Sequence, residues 1–142
     1  MATVELRFSA QPEHVRTARL VAAAVARRAG VEEALLDEVR LAVGEACSRA
    51  VGLHRVNGLL APVRVVLTEE EKTFSIEVAD EVPGPADAVP GIAAALDPDN
   101  DGEDEMGLAV ISGLVDDVEV TTGASGGTIR MSWPVSGATD LD

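Results

Sequence analysis

Between Val31 and Val51 the apolar residues Leu35, Leu36, Val39, Val43, Ala46 and Ala50 recur at steps of three and four. That spacing sets them on one stripe of a helix. A helix with a single apolar face gains most of its stability by burying that face against a second layer. The chain supplies the layer in short pieces. Thr3 to Phe8 alternates around Val4, Leu6 and Phe8, which predicts a strand. Val63 to Thr68 and Phe74 to Asp80 flank the polar turn Glu69-Glu70-Glu71-Lys72 and predict a hairpin. Val118 to Thr122 and Thr128 to Trp133 predict a second hairpin, joined through Gly123-Ala124-Ser125-Gly126-Gly127 and ended by Pro134.

A first helix is expected from Pro12, set at the opening helical position behind Gln11, to about Ala29. Its inward residues are expected to be Val15, Leu20, Ala23, Ala24 and Val25, and Gly30 closes it. Acids crowd the first turns of the second helix (Glu32, Glu33, Asp37, Glu38), as the helix dipole favours. Val82 to Glu105 is rich in Pro, Gly and Ala and is expected to be a lid, a binding loop or disordered, with Pro83 to Glu105 the most mobile internal segment. A short helix is expected at Gly107 to Leu114, and the polar tail, residues 136–142, is expected to fray. The order β-α-α-β-β-loop-α-β-β predicts one α/β domain over residues 1–135: a two-layer sandwich, its sheet mostly antiparallel, with the helices on one face.

Apolar residues make up 46% of the 142 and aromatics only 2%, so the core has to be aliphatic. The net charge of -14 repels phosphate backbones and argues against direct nucleic-acid binding; it suits a partner with a basic face, and equally it serves plain solubility. A single Cys excludes an internal disulfide, and Cys47, in mid-helix among apolar residues, reads as a small buried side chain. There is no apolar run of membrane-spanning length and no basic-then-apolar N-terminus, so a cytoplasmic protein with no membrane segment is expected.

Four short motifs carry the chemistry. Gly44 to Val51 reads G-E-A-C-S-R-A-V, in which Glu45, Ala46 and Ala50 fit the pattern E-A-x-x-N-A with Arg49 in place of Asn. Asp80 and Gly84 fit D-x-G-x-G with Val82 in place of the first Gly. Gly107 and Leu108 fit the end of R-G-x-G-L, behind Glu103-Asp104-Glu105-Met106 instead of Arg and Gly. Gly127-Thr128 supplies a G-T before the last strand. In this order and spacing the chain resembles the GHKL (histidine-kinase-like, Bergerat) ATPase fold, and within it the small anti-sigma factors of the RsbW and SpoIIAB type. The resemblance implies that Glu45 holds the catalytic-base position. It likewise implies that Arg49, Asp80, Gly84, Gly107, Leu108 and Thr128 hold ATP-site positions, with the Asn binding Mg²⁺ and the Asp accepting a hydrogen bond from adenine. An Arg has no acceptor to offer a metal, and Val82 puts a β-branched side chain where the purine should lie. The partners implied are a sigma factor and an anti-anti-sigma protein of the STAS type, and the family's homodimer is implied as well.

Plainer readings stand beside these. Glu45 and Arg49 are spaced as an i,i+4 surface ion pair. Asp80 can be a turn residue as readily as an adenine acceptor. His54 falls one place beyond the family's His position, which is Leu53, and reads as a helix-end residue. Asp97, Asp99, Asp101, Glu103, Asp104 and Glu105 put six acids into nine residues, with no Lys or Arg between Lys72 and Arg130. A screened repulsion of ~2–3 kcal/mol from such a run would weaken triphosphate binding roughly 30–150-fold. The run Asp97-Pro98-Asp99-Asn100-Asp101-Gly102 also opens like a calcium loop, although the closing Glu position is Leu108. The expected function is an anti-sigma regulator that sequesters a sigma factor with impaired ATP binding. One alternative is an active serine kinase acting on the STAS partner, and another is a calcium- or ligand-responsive module. No metal or cofactor is expected from the residues themselves; ATP and Mg²⁺ enter through the resemblance alone.

Overall fold

The computed structural model describes residues 2–83, 111, 113, 115 and 117–135. Its elements are β1 (Ala2–Phe8), α1 (Glu13–Ala29), a 3-10 turn (Glu33–Leu35), α2 (Leu36–Val56), β2 (Val63–Glu69), β3 (Thr73–Ala79), β4 (Asp117–Gly123) and β5 (Gly126–Pro134). The strands form one sheet in the order β1-β2-β3-β5-β4, every neighbouring pair antiparallel. Both helices pack against β2 and β3 on one face, which is the expected sandwich.

Strand alternation decides what faces the helices. The row Leu6–Val65–Val78–Ile129–Val120 crosses all five strands, and Val4–Leu67–Ile76–Met131–Val118 runs beside it. These rows form the core with Phe74 and Trp133, which are register partners. The opposite face is polar and reads Glu5–Val66–Glu77–Arg130–Glu119 in its central row.

The helices depart from expectation in three places. Pro12 is the residue before α1 rather than its first residue. The buried face of α1 is Val15, Ala18, Ala22, Ala23, Ala26 and Ala29, while Leu20 is 56% exposed, Ala24 is exposed and Val25 half-buried. A stripe of alanines lets α1 sit close to its neighbours, and the larger Leu20 would hold it off. Helix α2 begins after the 3-10 turn and runs five residues beyond Val51. It stops in a Schellman motif: Gly58 N–H donates to Arg55 O at 3.2 Å and Leu59 N–H to His54 O at 2.8 Å. Gly58 takes the left-handed φ of 66° that this ending needs. The same pair of bonds closes α1 at Gly30, as expected.

Of the expected 107–114 helix, Ile111 and Gly113 are described and helical, and Val115 N–H donates to Ile111 O at 2.9 Å. The acidic run, the calcium-like sequence and the tail lie outside the described residues. Among the described residues no helix is long and apolar enough to cross a membrane.

Cys47 is buried on α2, as its neighbours imply. Burial pushes its thiol from the ordinary 9.0 up to about 12. Between those two values the unfolded chain has lost this proton and the folded chain has kept it, so stability falls as pH rises through that window. A thiol reagent at about pH 8 should therefore label Cys47 only as fast as the fold opens. Prompt stoichiometric labelling of the folded protein would contradict this.

Candidate functional site

Glu45 and Arg49 stand on the shoulder of α2 turned away from α1. Glu38, Glu45, Arg49 and Gly52 recur there at helical spacing, and all four are half-buried. The opposite shoulder carries Gly44, where a Cβ would come 3.0 Å from Arg19 Cδ of α1. The expected Glu45–Arg49 ion pair does not form: among the described residues neither makes a salt bridge. Arg49 Nε is instead buried with no hydrogen-bond partner. A guanidinium offers donors only, so this position cannot hold Mg²⁺.

Asp80 ends β3, and three consecutive amides fix its exit. Asp80 N–H donates to Gly127 O at 3.0 Å, Glu81 N–H to His54 Nε2 at 2.9 Å, and Val82 N–H to Asp80 Oδ1 at 2.9 Å. Gly127 N–H completes the set, lying 3.2 Å from Asp80 O and 3.3 Å from Oδ1. The Asp80 carboxylate, 7% exposed, is thus a working turn residue. A carboxylate has room for about four acceptor bonds, so Asp80 keeps acceptor capacity beyond this turn.

The glycines of the β4–β5 turn are shaped to this exit. A Cβ on Gly127 would come 3.0 Å from Asp80 Oδ2, and one on Gly126 would come 2.1 Å from Asp80 O. Thr128 pairs with Ala79, and alternation from buried Ile129 turns it to the polar face. The structure therefore brings Asp80 and Gly127 together and sets Thr128 on the other side of the sheet. Gly84, Gly107 and Leu108 lie outside the described residues. Among the described residues no three His, Cys, Asp or Glu side chains gather as metal ligands.

One residue of the site is visible only in the fold. His54, read as a helix-end residue, does stand in the last turn of α2, but it is wholly buried, and its Nδ1 lies 2.9 Å from Ala61 O. Nε2 faces an N–H and must accept; Nδ1 faces a carbonyl and must donate. The partners thereby assign the neutral Nδ1–H tautomer.

A family model for the histidine kinase-like ATPase domain matches residues 8–133. The chain is 28% identical to the serine-protein kinase RsbW of Bacillus pumilus (strain SAFR-032) over 142 residues, covering 91% of this chain and 83% of that protein. It is 27% identical to the serine-protein kinase RsbW of Bacillus subtilis (strain 168) over 145 residues, with coverage of 94% and 86%. Its fold is similar to a solved structure of the RsbU and RsbW domains of a Mycobacterium tuberculosis protein, with a TM-score of 0.68 at 16% identity. That match takes in 95% of this chain and 32% of the solved one, so the chain spans about a third of its length.

Proposed function

We propose that this chain, which belongs to the histidine kinase-like ATPase domain family, is an anti-sigma regulator that sequesters a sigma factor and has lost most of the family's Mg-ATP chemistry. Similarity to RsbW along nearly the whole chain supports the regulator reading. The observation that carries the second half is Arg49, a half-buried donor at the place where the family uses a metal-binding acceptor. Mg²⁺ is what neutralises a transferring phosphate, so its loss weakens catalysis before it weakens the fold. Binding a sigma factor needs only a surface. A STAS-type protein is the antagonist this reading calls for.

Glu45 favours one competing reading. The residue is half-buried and makes no ion pair among the described residues, which suits a base in a serine kinase. ATP calorimetry and phosphate transfer to a STAS partner separate the readings. Calorimetry should give no low-micromolar, Mg-dependent ATP isotherm. Glu45→Ala should leave sigma-factor binding intact and change stability by no more than ~0.5 kcal/mol. Arg49→Asn alone should not restore ATP binding, because Val82 follows Asp80 and the run from Asp97 to Glu105 remains acidic. The kinase reading prevails if the unaltered protein transfers labelled phosphate to a STAS partner and Glu45→Ala does not.

A further inference from the structure

His54 joins three segments that are far apart in the chain. Its Nδ1–H donates to Ala61 O, seven residues on, and its Nε2 accepts from Glu81 N–H, 27 residues on, each at 2.9 Å. Glu81 directly follows Asp80, whose carboxylate holds the next amide, that of Val82. One imidazole thus ties the end of α2 to the loop before β2 and to the first residue beyond Asp80.

We propose that His54 is a positioning residue for the β3 exit: its neutral ring holds the Glu81 amide and so sets the Asp80 carboxylate, and protonation of Nε2 releases that hold. A protonated ring has donors at both nitrogens. Nε2–H would then face the Glu81 N–H, two donors with no acceptor between them, while the bond to Ala61 O survives. The charged residues nearest the ring come from three elements. They are Asp80 and Glu81 at the β3 exit, Glu13 at the start of α1 and Arg55; Glu13 and Arg55 share with His54 the wall of a hollow of about 580 Å³. The device holds whether or not a nucleotide binds at Asp80.

The test separates the two nitrogens. In His54→Gln the side-chain amide oxygen can stand in for Nε2; in His54→Asn the amide nitrogen can stand in for Nδ1. Each variant keeps one bond and loses the other, so a merely structural role would affect both alike. Residue-resolved hydrogen exchange should show the Glu81 amide protected in His54→Gln and about tenfold or more faster in His54→Asn. Equal exchange at Glu81 in the two variants, or exchange that follows global unfolding, overturns the proposal. The unaltered protein gives a check that needs no variant to fold. Imidazole nitrogen NMR should report the Nδ1–H tautomer, and protection of the Glu81 amide, taken relative to its intrinsic exchange rate at each pH, should fall in step with His54 protonation on the same sample. An Nε2–H tautomer, or Glu81 exchange that ignores His54 protonation, also overturns it.

Discussion

Gly126→Ala is expected to cost about 4 kcal/mol or more and to lower the melting temperature by on the order of 10–20 °C. The added Cβ would stand 2.1 Å from Asp80 O, 2.9 Å from Glu81 Cα and 3.0 Å from Asp80 C. All three are backbone atoms, held by the Asp80–Gly127 bonds and by His54, so none can swing aside as a side-chain tip would. Gly126 also has φ of 135°, which an L side chain adopts only under strain. Gly123→Ala is the control: it sits in the same turn, takes no positive φ and would meet nothing within 4 Å. Calorimetric melts of the two variants should differ widely, and equal melting temperatures would show that the turn can move away from β3.

Removing the Asp80 carboxylate has the next largest expected effect. Asp80→Ala leaves the Val82 amide without its acceptor and weakens the setting of Gly127, at a cost of about 2–3 kcal/mol. Asp80→Asn keeps an acceptor oxygen in place and should cost less than about 1 kcal/mol. Denaturant melts of both variants test this. If Asp80→Asn destabilises as much as Asp80→Ala, the negative charge matters more than the turn bonds. A large loss of ligand affinity in Asp80→Asn with stability retained would mark the other carboxylate role, acceptance from an adenine amino group.

How far the chain could be read follows from how local each signal is. Period-two runs marked every strand within one or two residues, because one face of each strand is buried and the other is not. The inward face of α1 was not legible. In a helix with six alanines among 17 residues, more than one stripe of apolar side chains is available, and close packing chose the one made mostly of small residues. The end of α2 was not legible because the apolar stripe runs out at Ala50, while the stop is Asn57-Gly58, where Asn57 Nδ2 donates to Leu53 O at 2.8 Å. At the candidate site, i,i+4 spacing permits a Glu45–Arg49 pair but does not compel one, and burial of Arg49 Nε went against it. Thr128 follows Gly127 in sequence, yet alternation puts neighbours on opposite faces.

The sequence by itself determined the order of the described elements, the antiparallel two-layer sandwich and the burial of Cys47, since each rests on residue type and short-range periodicity. Only the tertiary structure decided the exit from β3. His54, Asp80, Gly126 and Gly127 come from the end of α2, the end of β3 and the start of β5, and each is needed for reasons set by the others. Hydrogen bonds spanning 27 and 47 residues, and a clash between a turn and a distant carbonyl, leave no trace in local pattern. They arise once the sheet has brought β3 and β5 side by side and α2 has packed across it.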